Sequence, residues 1–261
     1  MKILLELSFV GSAYCGWQVQ KNGVSVQQRV QDAAEAVWGH RLPVTGCSRT
    51  DSGVHAEMFC CTVSGENIGN IPLERVPDAL NRCLPSDIAV RRACLVEDSF
   101  HPRYDVIAKE YRYLIWNRRQ KNPFSAGRAY HIPKPLDIEA MRDAASSLVG
   151  RHDFRAFMAS GSSVEDTVRE IYHADVREDA GYGKGYVMIA VEGNGFLYNM
   201  VRIISGTLLL AGEHKLDRRG MDAIIEGKRR DAAGKTLPAC GLYLHRVRYP
   251  EGILSFRGEE H

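Results

Sequence analysis

No Cys-x-x-Cys pair and no His-Glu-x-x-His pattern occurs in this 261-residue sequence, and its seven cysteines (Cys15, Cys47, Cys60, Cys61, Cys83, Cys94, Cys240) are scattered and odd in number. That argues against a structural zinc site and a disulfide framework, and for reduced thiols in a cytoplasmic protein. A one-sided charge is missing too, since 34 basic against 32 acidic residues leave a formal net charge of +2. No global field marks a nucleic-acid binder, so any polyanion site must come from local clustering. No run approaches the ~18 apolar residues that span a bilayer. Residues 1–7 are broken by Glu6 too soon for the apolar region of a signal peptide. The expectation is a soluble cytoplasmic chain with no membrane partner.

Nucleotide fingerprints are absent as well. Gly234-Lys235-Thr236 ends like a phosphate-binding loop, but Arg229 stands where that loop's first glycine belongs. Gly181-x-Gly183-x-Gly185 continues the turn-rich run from Asp179 between two strand-like stretches, instead of opening a helix. No metal and no nucleotide or other cofactor is expected.

What is present is an ordinary globular composition, 44% hydrophobic and 25% charged, in a chain long enough for one large or two small domains. Residues 3–10 read as a strand. Ser25 and Gln28 have capping-box spacing ahead of Val26, Val30, Ala34 and Val37, an amphipathic helix that Gly39 ends. Strands follow on either side of a polar loop, then a helix over 76–84, with Pro77 tolerable in its first turn, and a strand over 88–96.

In the second half, strand-like runs at 109–116, 168–176, 186–191 and 242–249 alternate with helices at 138–148, 199–211 and 218–229. Asp137 caps the first of these helices and Gly150 stops it. The pattern is an α+β protein of two ferredoxin-like β-α-β-β-α-β units, the second with one extra helix, each a mainly antiparallel sheet with helices on one face. The division falls at residues 1–104 and 105–261.

The chemistry concentrates in residues 46–56, Gly-Cys-Ser-Arg-Thr-Asp-Ser-Gly-Val-His-Ala. An apolar run enters and a strand leaves, so Ser48 to Gly53 form a tight loop, with Asp and Ser able to bond their own backbone and Gly permitting positive φ. Asp51 is a residue any turn could use. It is also a carboxylate that ionises near pH ~3.9 when unperturbed, and is fit to be a nucleophile rather than a general acid.

The helix over 199–211 is apolar almost all round yet carries Arg202 in its first turn. A buried guanidinium needs a carboxylate, for which Asp51 is the candidate; the alternative is a solvated Arg202 at the helix end. Tyr111 and Tyr113 share one face of their strand and suit either the core or a stacked base. Tyr14-Cys15-Gly16-Trp17-Gln18 offers aromatics and amides to a nucleotide, or a Trp that anchors the loop to the core. Basic clusters stand at Arg91-Arg92, Arg118-Arg119 with Lys121, Arg151-His152 and Lys228-Arg229-Arg230.

Arg49-Thr50-Asp51-Ser52-Gly53-Val54-His55-Ala56 resembles the catalytic-loop motif of the TruA family of tRNA pseudouridine synthases, with Ser48 in place of the usual glycine. Four further stretches are similar to that family: Tyr14-x-Gly16-Trp17-Gln18-x-Gln20, Lys109-x-Tyr111-Arg112-Tyr113, Phe196-x-x-x-Met200-Val201-Arg202 and Pro238-Ala239-Cys240-Gly241-Leu242-Tyr243-Leu244.

The resemblance implies two units joined into one sheet with a central cleft, and cofactor-free conversion of uridine to pseudouridine at positions 38, 39 and 40 of the tRNA anticodon arm. It implies Asp51 as nucleophile, Arg202 as its partner, Tyr111 and Leu242 on the two sides of the target uracil, and a homodimer bridged by tRNA. Arg49 would hold the extruded nucleotide through its phosphate or wedge into the vacated stack. The competing expectation is a non-catalytic RNA-binding protein on the same duplicated scaffold. An Asp-nucleophile phosphoryl-transfer enzyme would need metal-binding carboxylates beside Asp51, and the loop offers none.

Overall fold

A computed structural model describes residues 1–162, 164–178 and 181–254. Asp179 and Ala180, the start of the expected turn, lie outside the described residues. The chain is α+β and divides into two compact units, residues 1–107 with the segment from Leu244 onward, and Ala108–Tyr243. No described helix is long and apolar enough to cross a membrane.

In the first unit β1 (Lys2–Phe9) lies between β3 (His55–Ser64) and β4 (Ile88–Val96), antiparallel to both. This central position explains its burial, with Leu4, Leu5 and Leu7 all fully enclosed. Glu6, the polar residue of the run, is enclosed too and bonds the Arg92 guanidinium of β4, which meets the need of a buried charge for a partner. β2 (Val44–Gly46) pairs with β3 as a short hairpin, Thr45 opposite Thr62.

Helix α1 (Val26–Trp38) is capped as its sequence requires, the Ser25 hydroxyl accepting from the Gln28 amide and Gly39 closing it in the left-handed region at φ 80°. Its buried stripe is Val26, Val30, Ala33, Ala34 and Trp38. α2 (Val76–Asn81) stops three residues short of the expected Leu84. There the Asn81 side chain leaves the helix pattern and bonds both the amide and the carbonyl of Val90 on β4.

The second unit carries the antiparallel order β5 (Ala108–Trp116), β9 (Tyr186–Gly193), β8 (Val168–Glu178), β7 (Gly150–Asp153), with β6 (Tyr130–His131) parallel to β5. Helices α3 (Ile138–Ser146), α4 (Met200–Gly212) and α5 (Arg218–Gly227) pack together, α3 also lying on β8. β10 (Leu242–Arg248) closes the fold. Two of these elements were unforeseen, because two- and four-residue strands are too short for an alternating pattern. Gly150 does not stop α3 directly; the helix ends at Ser146 and Gly150, at φ 113°, opens β7.

The cysteines are thiols, with Cys47, Cys60, Cys61 and Cys94 buried and Cys83 exposed. Burial pushes Cys60 and Cys61 well above the ordinary thiol range and Cys94 up to about 11. Alkylation of the native protein is expected to label Cys83 readily and those four only after unfolding, because the reactive species is the thiolate. Rapid native labelling of Cys60 or Cys61, read by peptide mass spectrometry, would contradict this packing.

Candidate active site

The β2–β3 hairpin carries the Asp51 loop at its tip, as the run of strand-forming residues on either side requires. Cys47 and Cys60 close its base through the Cys47 amide on the Cys60 carbonyl at 2.8 Å. Within the loop the Val54 amide returns to the Asp51 carbonyl at 3.1 Å, a tight turn completed by Gly53 at φ 79°.

A second segment, residues 11–17, clamps this turn from outside. The Trp17 amide donates to the Thr50 carbonyl (3.2 Å), while the Gly53 amide (3.3 Å) and the Ser52 hydroxyl (3.2 Å) donate to the Tyr14 carbonyl. The imidazole of buried His55 accepts the Gly11 amide through Nδ1 at 3.0 Å, so that nitrogen carries no proton. Gly16 makes the approach possible: at φ 99° a Cβ would stand 2.3 Å from the Thr50 carbonyl oxygen.

The clamp is itself fixed. Trp17, 3% exposed, stacks on Phe59 with centroids 4.1 Å apart, so it anchors the loop to the core. The Tyr14 hydroxyl donates to Asp87 at 2.5 Å; burial and that bond push its pKa up, so it remains a protonated donor. The Gly16 and Trp17 carbonyls in turn accept the amides of Val26 and Gln27 at the start of α1. Asp51 is left partly exposed and Arg49 exposed at the end of this rigid build.

In the second unit the first turn of α4 holds Arg202. Its Nε donates to the Leu237 carbonyl at 2.7 Å and its Nη1 to Asn199 Oδ1 at 2.6 Å, with Asn199 itself in the left-handed region at φ 60°. The segment that supplies Leu237 is the one whose Gly-Lys-Thr resembled a phosphate loop. It is a strap across α4: a Cβ on Gly206 would lie 1.9 Å from the Lys235 carbonyl oxygen, and the Gly234 amide donates to the Thr207 hydroxyl at 2.9 Å.

Tyr111 is buried, its ring set edge-on against Phe196 with centroids 5.1 Å apart. Tyr113 is core: its hydroxyl donates to the Pro238 carbonyl at 2.7 Å, and its ring crosses Gly241, just ahead of buried Leu242. Arg49 and Asp51 therefore share one loop of the first unit, and Tyr111, Arg202 and Leu242 belong to the second.

The sequence pattern of the tRNA pseudouridine synthase family matches residues 7–105 and 144–250. The chain belongs to that family. It is similar to the tRNA pseudouridine synthase A of Thermoanaerobacter sp. strain X514, 43% identical over 247 residues, 95% of this chain and 99% of the relative. It is likewise similar to the proteins of that name from Geobacter sp. strain M21 and Bacillus subtilis strain 168, each 41% identical over 251 residues and the same shares of both chains. This synthase is an isomerase that acts on tRNA.

Within the synthase the basic clusters separate by use. Lys228 bonds Asp153, Arg229 bonds Asp231 through two nitrogens, and Arg230 bonds the Gly234 carbonyl and Thr236 hydroxyl of the strap. That run is paired within the chain, and its Arg230 ties down the strap. For residues 11–17 the structure decides between the two readings of Trp17 in favour of the core anchor, and the strap is the support of the site that sequence reading missed.

Gly206→Ala is expected to displace the strap and cost about 1 to 3 kcal/mol, as overpacking does. A thermal denaturation midpoint equal to that of the parent would contradict the crossing.

Proposed function

We propose that this synthase isomerises uridine to pseudouridine at positions 38, 39 and 40 of the tRNA anticodon arm, with the Asp51 carboxylate as nucleophile and no cofactor. The observation that carries the reading is the clamp on the Asp51 loop, which fixes the backbone on both sides of a partly exposed carboxylate. Such pre-organisation is what a nucleophile needs and an ordinary surface turn does not.

The carboxylate attacks the nucleoside at the anomeric carbon or at C6 of the ring, and the bond between N1 and the sugar breaks with its electron pair passing to the base. The uracil turns over and C5 bonds the anomeric carbon, while the bond made by Asp51 breaks and its electron pair returns to the carboxylate. The proton lost from C5 is balanced by one gained at N1, so the reaction is an isomerisation that needs no redox partner.

A base within a stem is out of reach and must be flipped out at a cost of a few kcal/mol. Tyr111, its ring plane set by Phe196, stacks on one side of the uracil and Leu242 covers the other. Arg202, held by Leu237 and Asn199, orients the Asp51 carboxylate. Exposed Arg49 takes the phosphate of the extruded nucleotide or fills the gap it leaves. The resemblance supports a cytoplasmic homodimer bridged by tRNA.

Carbodiimide mapping of an unmodified tRNA after incubation with the synthase tests the positions. Stops at 38, 39 or 40 wherever uridine stands there are the expected result, and modification confined to another arm would refute it. Tyr111→Phe keeps a stacking ring and should lose less than about tenfold in rate, whereas Tyr111→Ala should lose at least about a hundredfold. Equal rates for the two would show that the ring does not meet the base.

A further inference from the structure

The overall charge balance conceals one lopsided stretch. From Tyr111 to Leu136 there is no Asp or Glu, while Arg112, Arg118, Arg119, Lys121, Arg128 and Lys134 are all basic. Its centre, residues 117–128, leaves the C-terminal end of β5 as a built loop. Asn117 Nδ2 donates to the carbonyls of Ile132 (2.8 Å) and Lys134 (2.7 Å), and Trp116 Nε1 donates to the Gln120 carbonyl at 2.8 Å. The Asn122 side chain accepts the Phe124 amide at 3.0 Å, and the Tyr243 hydroxyl donates to the Arg128 carbonyl at 2.7 Å.

On this locked turn Phe124 stands 91% exposed. Arg118, Arg119, Lys121 and Arg128 are exposed around it in sequence, and among the described residues none of the four forms an ion pair. Lys228 and Arg229 are paired with carboxylates of this chain, whereas the four cations around Phe124 meet no carboxylate among the described residues.

A rigid loop that holds an aromatic ring in water among uncompensated cations matches a polyanion with stackable bases. We propose that residues 117–128 form a second tRNA contact, in which Arg118, Arg119, Lys121 and Arg128 meet backbone phosphates and Phe124 stacks on an unpaired base. At about 3.3 Å per residue along β5 the loop begins ~20 Å from Tyr111, so this contact is separate from the one around the target uracil. It rests on the reading of the substrate as tRNA and sets how a long RNA is held rather than how uridine reacts.

The test is filter binding of full-length unmodified tRNA to the full chain at several salt concentrations. Phe124→Ala is expected to weaken binding roughly 5- to 10-fold, with the same rise in KM and recovery at saturating tRNA. Arg118→Ala/Arg119→Ala/Lys121→Ala is expected to lower the slope of log Kd against log salt by about 2 to 3.

Wild-type affinity and slope in both variants would overturn the loop contact while leaving the catalytic reading intact. Failure of the wild type to bind or modify tRNA would overturn both. Conversion of a dimer to a monomer by Phe124→Ala in sedimentation, with tRNA affinity per chain unchanged, would make the loop an interface between copies and overturn the RNA contact.

Discussion

Asp51→Asn is expected to leave a folded protein that binds tRNA within about twofold of the parent and makes no pseudouridine, a rate loss of at least ~10⁴-fold. The fold should persist because the turn is held by main-chain groups: the Asp51 carbonyl, the Val54 amide and the contacts from Tyr14 and Trp17 survive the change. Binding should persist because RNA affinity comes mainly from phosphates met by cations, and this substitution removes no cation. On the proposed mechanism only nucleophilicity is lost, since the neutral amide oxygen has no negative charge and its attack would leave a cationic adduct. Filter binding and primer-extension mapping on the same preparation separate the two effects.

If Arg202 orients the Asp51 carboxylate as proposed, Arg202→Ala should be the next most damaging change, lowering the rate about 10²- to 10³-fold, the usual cost of deleting a pre-organised charged group. The guanidinium is anchored at Leu237 and Asn199, so its plane is fixed without further ordering. Arg202→Lys should recover little, because an ammonium cannot hold both anchors and a carboxylate in one plane. Loss of a neighbouring positive charge also makes a carboxylate harder to ionise. The acid limb of the pH–rate profile should therefore move to higher pH in Arg202→Ala. An unmoved limb together with a lowered thermal midpoint would show that Arg202 serves only the strap.

The Asp51 loop was readable because its whole chemistry lies in one run of residues between two strands. Its supports were less so. Trp17 left two readings open in the sequence, and only the stack on Phe59 decides for the core. Gly206 and Gly234 are ordinary small residues until the strap crosses α4 and brings their backbones together, a fact of tertiary packing that no local pattern carries. The clusters at 118–121 and 228–230 have the same local charge, yet Asp153, Asp231 and the strap absorb the second. β6 and β7 escaped because two and four residues cannot express a period. The capped helices α1 and α3, by contrast, announced their starts through Ser25 and Asp137, because capping is chemistry between near neighbours.

Tritium release from unmodified tRNA labelled at C5 of uridine, followed for the wild type and Asp51→Asn together, tests the central claim most directly, since C5 gives up its hydrogen only when it bonds the sugar. The account predicts release by the wild type that saturates at the number of uridines at positions 38, 39 and 40, and none by Asp51→Asn above the no-enzyme rate. Release by the variant at a rate near that of the wild type would contradict it.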